Sequence, residues 1–425
     1  MEYKEDTDFI YMRYRLDIIR ADTVDRIKSA VKETLHAKYM DLLPGDLNTR
    51  ALIKPNLNSY MNALTGNTTD LRLMATVIEF LKDAGYNDIT IAEGTNSGFY
   101  RNNISVIRRL AVDRLADYYG IHVKDLNYSD TVDVGFEGGV KAGVARECVE
   151  AGLFINMPKL KTHFEAGMSV CLKNLMGCLV GQANKKKTHQ SLWANIVNLN
   201  AALRPHLHIV DGIVAMEGLG PTRGTPIKTS SVLIGTDPFV TDLVCSRLAS
   251  FDHNNVGPLR MALQRGIVDA QRLEFARDFP LERVFVFKPP KAGLLATFIH
   301  NPKRQRYFLA IRNTPLFKYL ASTQLGGTLL YKSGLRQDVF VKEEMQCRGL
   351  TLDPSLCNDC GRCAGYCPVD LPLPLSAPEP RCIQCLYCYC VCPTGAIVFE
   401  GTLGFMAEQN AQYETLIRGM VSNSA

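Results

Sequence analysis

The chain has 425 residues, a formal charge of +5, and 46% hydrophobic against 21% charged residues. That balance belongs to a globular chain long enough for two or three domains and excludes extensive disorder. No apolar run reaches the roughly 18 residues of a membrane-spanning helix, and the polar opening Met1–Asp6 lacks the form of a secretory or transit peptide.

In chain order, apolar periodicity predicts amphipathic helices at Thr23–Tyr39 and Asp70–Ala84, the second opened by a capping cluster of Asn, Thr and Asp. Short β-type runs follow at Ala51–Ile53 and Asp88–Ala92, then a helix near 104–119 and a strand at Ile121–Val123. Further strands are predicted at Leu153–Asn156, His208–Val210 and Ser231–Ile234. A helix then runs to Leu248 with Asp237 as N-cap and Pro238 in its first position. This alternation predicts an α/β domain over residues 1–287, a mainly parallel sheet with flanking helices.

Ligands in such folds bind beyond the carboxyl ends of the strands, and four polar groups stand there. Lys54 and Asn56 follow Leu52-Ile53, and Glu93 follows Ile91-Ala92. Lys159, Lys161 and His163 follow Ile155-Asn156, and Asp211 follows Ile209-Val210. Alternation sets Lys159, Lys161 and His163 on one face of an extended segment, which makes them the expected catalytic groups. Lys54, Asn56, Glu93, Lys173, Asn174 and Asp211 are the expected substrate-binding residues, and a rim so rich in cations suits a carboxylate or phosphate. The run Lys185–Lys187 reads as a solvated turn. The loop Gly218-x-Gly220-Pro221-x2-Gly224 offers amides to an anion without the spacing of a nucleotide motif.

Residues 288–350 carry eleven Lys/Arg against three Asp/Glu, net +8, with seven aromatics. They are expected to form a basic linker or helical subdomain, with Lys303, Arg304 and Arg306 at its most basic point. Such a surface suits an acidic redox protein or peripheral contact with an anionic membrane face; nucleic acid is not an expected partner.

Nine of the fourteen cysteines lie between Cys357 and Cys392, which favours metal ligation in a reducing, cytoplasmic setting over disulfides. Cys357-x2-Cys360-x2-Cys363-x3-Cys367-Pro368 is repeated as Cys382-x2-Cys385-x2-Cys388-x3-Cys392-Pro393. In dicluster ferredoxins three cysteines of one loop hold one [4Fe–4S] cluster and the fourth crosses to the other. Cys357, Cys360, Cys363 and Cys392 are therefore assigned to one cluster, and Cys382, Cys385, Cys388 and Cys367 to the second. Zinc knuckles would give no role to a third cysteine in each loop. Cys390 is an extra inside the second motif, read as a spectator thiol, with an alternative ligand as the other reading. Residues 351–402 form this ferredoxin-like α+β domain, and 403–425 read as a helix and tail.

Several segments together resemble the DUF362 family. They are Ile53-Lys54-Pro55-Asn56, Ala92-Glu93-Gly94, Asn156–His163, Leu172–Gly177, Asp211-Gly212-Ile213, and Gly235–Pro238 with Asp242. The resemblance covers roughly residues 50–250. It implies an α/β fold and a partnership with iron–sulfur clusters, and it supplies no reaction. The expected function is an iron–sulfur oxidoreductase relaying electrons through two [4Fe–4S] clusters to an anionic substrate or cofactor in the α/β domain. The alternatives are an electron carrier or assembly factor that docks a partner protein, and a non-redox Lys/His acid–base enzyme with structural clusters.

Overall fold

The computed structural model describes residues 14–20, 26–290, 340–374 and 379–407, with the single positions 314, 409, 410, 414 and 417. Lys303, Arg304 and Arg306 of the basic region lie outside the described residues. Strands β1 (Leu16–Arg20), β2 (Ala51–Pro55), β3 (Ile89–Glu93) and β4 (His122–Asp125) come first. After them come the hairpin β5 (Thr131–Gly135) and β6 (Lys141–Ala145), then β7 (Leu153–Met157), β8 (Lys159–His163) and β9 (Gly167–Ser169). The long pair β10 (Leu207–Glu217) and β11 (Thr225–Gly235) follows. The order across the sheet is β1-β11-β10-β7-β2-β3-β4. The five strands from β10 to β4 are parallel, while β11 and β1 close the other edge antiparallel. The fold is thus the α/β class expected, and each predicted strand overlaps an observed one, with Asp88 and Ile121 standing one residue ahead of β3 and β4.

The central strands β2, β3 and β7 are buried at every position, as strands covered on both faces must be. One face packs on the helices Ile27–Lys38, Leu71–Asp83 and Val112–Tyr119; the other packs on Leu192–Leu203, Pro238–Leu248 and Gly257–Gln264. The single helix expected at 104–119 is broken: Val106–Arg109 and Val112–Tyr119 are separated by Ala111 at φ 59°.

The cysteine-rich module pairs β12 (Gln346–Leu352) with β13 (Ile397–Thr402). Its first strand therefore begins inside the stretch that the sequence assigns to the basic region. The pairing that defines it, Gln346 with Thr402, is far too distant along the chain for a local pattern to reveal. The module packs on the same face as the helices at 27–38 and 71–83, sharing one core with them. Arg109 anchors the seam. Its guanidinium meets Glu344 at 2.7 Å and the Val341 carbonyl at 2.8 Å, and it lies over the Phe405 ring at 4.6 Å. Arg114 reaches Gln384 at 2.6 Å and Lys28 reaches the Pro368 carbonyl at 3.0 Å. Among the described residues no helix is long and apolar enough to cross a membrane.

Asp237 caps the helix Pro238–Leu248 through the amides of Phe239 and Val240, both at 2.9 Å. One turn on, the buried Asp242 accepts the amides of Cys171 at 2.8 Å and Leu172 at 3.3 Å, tying this helix to the 171–178 segment. Burial pushes the Asp242 carboxyl up to about 7, and the two amides only partly oppose it. The folded state therefore holds this proton more tightly than the unfolded chain does, so the group costs stability as pH rises from about 4 to about 7. Asp242→Asn should flatten that part of the profile. Thermal unfolding of both proteins across this range checks it, and equal slopes would remove the assignment.

Candidate functional site

Strand β8 carries the three residues singled out by alternation. It runs beside β10, with Lys159 opposite Asp211, and pairs with the short β9. Leu160 enters the core on the 192–203 side; Lys159, Lys161 and His163 consequently belong to the opposite face, the one the cysteine module covers. All three are buried.

Each lysine is held differently. The Lys159 ammonium meets Asp211 Oδ2 at 2.9 Å, and both side chains are fully buried. The same oxygen accepts the Asp70 amide at 2.7 Å, while Oδ1 accepts that of Ile213 at 3.0 Å. Burial raises the Asp211 carboxyl and Asp70 adds to the rise, while Lys159 opposes it. Lys161 donates to Asn56 Oδ1 at 2.8 Å, Asn58 Oδ1 at 2.5 Å and the Asn67 carbonyl at 2.7 Å. Lys54 meets Glu93 Oε2 at 2.9 Å. Asn56 passes a hydrogen bond to Asn174 at 2.9 Å, and Asn174 passes one to Asn156 at 2.8 Å. The structure thus brings Lys54, Asn56, Glu93, Lys161 and Asn174 into one array, with Lys159 and Asp211 as a second pair beside it. The other oxygen of Glu93, Oε1, is buried with no hydrogen-bond partner. Gly177 makes room for it: a Cβ there would stand 1.9 Å from Oε1 and 2.8 Å from Lys54 Nζ.

His163 and Lys173 are spent least. His163 Nδ1 accepts the Glu165 amide at 3.1 Å, which leaves Nε2 to carry the proton of the neutral ring. Burial first, then Lys173, Lys161 and His189, push its pKa well below the ordinary value, so the ring is neutral near pH 7. Lys173 is partly buried and has no hydrogen bond or ion pair among the described residues; burial lowers its pKa, with Glu165 opposing and Lys54 assisting.

Two loop expectations change. Lys185 is not solvated. It sits in the helix Gly181–Thr188 and donates to the Gly94 and Thr95 carbonyls, both at 2.9 Å, and to Asn127 at 3.1 Å. Burial pulls it down to about 8 against Glu93 and Asp125. It belongs beside Lys54 and Glu93, and only its neighbours Lys186 and Lys187 are exposed. The run had hidden it, because three consecutive lysines on a helix face different ways. The glycine loop is the β10–β11 turn, and three of its amides are already used within the chain. Gly218 donates to Lys288, Gly220 to Gly218 and Arg223 to Leu219. Its glycines serve close approach instead, since a Cβ on Gly220 would stand 2.0 Å from the Thr162 carbonyl.

In the module a small apolar cavity is lined by Cys367, Cys382, Cys385 and Cys388, with Val369, Leu371, Ile383 and Leu386 among its walls. Cys367 belongs to the first motif in sequence yet shares this space with three cysteines of the second. Burial raises the Cys367, Cys385 and Cys388 thiols, and neighbouring cysteines raise them further. Four thiols that repel one another as anions around a dry cavity fit an iron–sulfur core, whose cations would compensate them. On the more exposed side, Cys363 is influenced by Cys360 and Cys392. Burial opposes ionisation of Cys392, yet hydrogen bonds from Thr394 and from backbone amides including that of Ala396, at 3.2 Å, hold its pKa below the ordinary thiol value. Cys390 does not line the cavity and donates to Asn410 at 3.6 Å.

The rim and this cavity are joined. From Lys159 the contacts pass to Asp211, to the Asp70 amide, and through the Asp70 carboxylate to Arg72 at 2.6 Å. The Arg72 guanidinium lies 4.3 Å from the centroid of Tyr366, the residue before Cys367. Removing one partner of a buried pair leaves an uncompensated charge, at a cost of about 3–5 kcal/mol. Lys159→Met should therefore lower the thermal midpoint strongly, and Lys159→Met with Asp211→Leu should recover much of the loss. A single variant as stable as the wild type would show that Lys159 contributes nothing to the fold.

Comparison with known proteins agrees with this division. Residues 51–247 match the family described as Domain of unknown function (DUF362), and residues 350–372 match the 4Fe-4S binding domain. The second match covers the motif that ends at Cys367 and stops before Cys382. A thylakoid-associated protein of Synechocystis sp. is 28% identical over 259 residues, which span 57% of this chain and 75% of that protein. The lactate racemase apoprotein from Thermoanaerobacterium thermosaccharolyticum aligns over 51% of this chain at 13% identity with a TM-score of 0.29, and the aligned part spans about half of that chain (53%). The parallel sheet with its lysine rim thus carries the match to DUF362, and the cysteine module packed on it carries the match to the 4Fe–4S binding domain.

Proposed function

We propose that this chain is an iron–sulfur oxidoreductase that holds two [4Fe–4S] clusters and delivers electrons to an anionic substrate or cofactor at the lysine rim. One observation carries the reading: Cys367 of the first motif lines the same cavity as Cys382, Cys385 and Cys388 of the second, as crossed ligation requires. Cys357, Cys360, Cys363 and Cys392 would then hold the other cluster. Bound there, each cluster supplies a one-electron reservoir. The chain's own residues do the rest. The apolar walls around Cys385 and Cys388 keep water from one reservoir, and the packed seam fixes its orientation toward β8. At the rim, Lys173, which makes no hydrogen bond or ion pair among the described residues, offers its ammonium, and neutral His163 offers an Nε2 proton to an oxygen of the ligand. Lys54, Lys161 and Lys159 hold the surrounding loops in place.

Anaerobically purified protein should contain about eight iron and eight sulfide per chain. Cys392→Ser should disturb only one of two [4Fe–4S] signals in electron paramagnetic resonance, and Cys382→Ser the other. Stoichiometric zinc in place of iron would end the assignment. For the rim, a charged hydrogen bond contributes about 1.5–3 kcal/mol, so Lys173→Met should weaken binding of inorganic phosphate or a small dicarboxylate at least about tenfold by calorimetry, with iron content unchanged. Unaltered binding in both Lys173→Met and Lys161→Ala would remove the rim as a ligand site.

The net +8 of residues 288–350 and the thylakoid association in the name of the Synechocystis relative support peripheral docking on an anionic membrane face. Replacing Lys303, Arg304 and Arg306 with Gln should reduce salt-sensitive sedimentation with anionic vesicles. Equal sedimentation of the two proteins would count against docking.

A further inference from the structure

Arg72 has a conspicuous setting that neither the rim nor the cysteine ligation uses. It lies in the first turn of the helix Leu71–Asp83 and is fully buried. Nε and Nη2 donate to the two oxygens of Asp70 at 3.0 and 2.6 Å, while Nη1 is buried with no hydrogen-bond partner. The guanidinium carbon stands 4.3 Å from the ring centroid of Tyr366. The hydroxyl of Tyr387 accepts the amide of Leu71, the residue between Asp70 and Arg72, at 3.4 Å. Tyr366 directly precedes Cys367 and Tyr387 directly precedes Cys388, and both cysteines line the apolar cavity.

A guanidinium withdrawn from water costs several kcal/mol even when paired, and an apolar side chain of the same volume often serves the fold as well or better. A charged pair held behind two residues that adjoin cluster ligands has a use that an apolar residue lacks. Reduction of a cluster adds one negative charge in a medium of low dielectric. A cation close by stabilises the reduced state and raises its potential; a carboxylate does the reverse.

We infer that Arg72 is a positioning residue that sets the reduction potential of the cluster held by Cys367, Cys382, Cys385 and Cys388, with Asp70 as its counterweight. This rests on the crossed ligation proposed above. The effect is selective. Cys360 is exposed and Cys357 and Cys363 are partly exposed, so water screens the other cluster. Asp70 also gives its amide to Asp211, the partner of Lys159, so the pair is tied to the β8–β10 ion pair as well.

The test is a potentiometric titration of the full chain, purified anaerobically with its iron, followed by electron paramagnetic resonance. Arg72→Gln should lower the potential of the signal that Cys382→Ser abolishes. A tenfold change in its reduction equilibrium, ~59 mV for a one-electron couple, is the expected scale. Asp70→Asn should raise the same signal, Arg72→Lys should remain closer to the wild type than Arg72→Gln, and the signal abolished by Cys392→Ser should move less in every case. A purely structural role predicts lost iron or shifts of one sign in both Arg72→Gln and Asp70→Asn. If Arg72→Gln fails to fold, Asp70→Asn and Arg72→Lys still give a directional answer. Two intact signals unmoved by Asp70→Asn and Arg72→Gln, or moved in the same direction, overturn the role of Arg72 while leaving the two-cluster reading in place. A protein with four iron and one signal overturns the ligation and this inference together.

Discussion

Four buried charges, Lys159, Asp211, Asp70 and Arg72, hold the sheet, a helix start and the cysteine module in one arrangement. Asp70 is the centre of it. Its carboxylate caps the helix Leu71–Asp83 through the Arg72 amide at 2.9 Å and pairs with the Arg72 guanidinium, while its own amide is held by Asp211. Each ion would be expensive to bury alone; together they are neutral in formal charge, and each fixes the next. The helix therefore enters the domain at one angle, and Tyr366 and Tyr387 find a fixed surface to pack on. The cysteine cavity inherits its orientation from that contact.

The rim obeys a different electrostatic rule. Lys54 and Lys159 are paired with carboxylates, while Lys161 donates to two asparagine side chains and a backbone carbonyl. After burial itself, the neighbours that depress the pKa of His163 are Lys173, Lys161 and His189. Glycines allow this density of polar groups. Gly66, at φ 74°, would bring a Cβ within 2.3 Å of the Ala215 carbonyl, and Gly177 would strike Glu93.

In the module, the two cysteine motifs meet different surroundings. Cys367 and Cys388 are buried and Cys385 is partly buried in apolar walls shared with the core of the large domain, while Cys360 stands in solvent. Burial and nearby fixed charges are the main levers a protein has on a cluster of given type, so two near-identical motifs are placed in unequal environments. The inequality comes from packing: Arg109 and Arg114 of the large domain reach Glu344 and Gln384 of the module, and the module's Tyr387 hydroxyl accepts the Leu71 amide.

How much of this was legible in the sequence follows the range of the interactions. Parallel strands buried on both faces are short apolar runs, so β2, β3 and β7 could be read directly. The cap Asp237-Pro238 acts within one turn, and the cysteine spacings encode a loop wrapped around a cube. The antiparallel edge, the hairpin β5–β6 and the strand β12 were not legible, because their partners lie across the sheet or, for Gln346 and Thr402, at opposite ends of the module. The same holds at the site. Alternation correctly set Lys159, Lys161 and His163 on one buried face, since period two is local. It could not tell that Asp211 neutralises Lys159 from 52 positions away, that Lys185 turns inward to the Gly94 carbonyl, or that Arg109 waits for Glu344 across 235 residues. The sequence by itself determined which elements form and which residues have metal-binding chemistry, because those depend on neighbours along the chain. The tertiary structure alone decided which charges are spent and which remain, because a charge is spent by whatever folds against it.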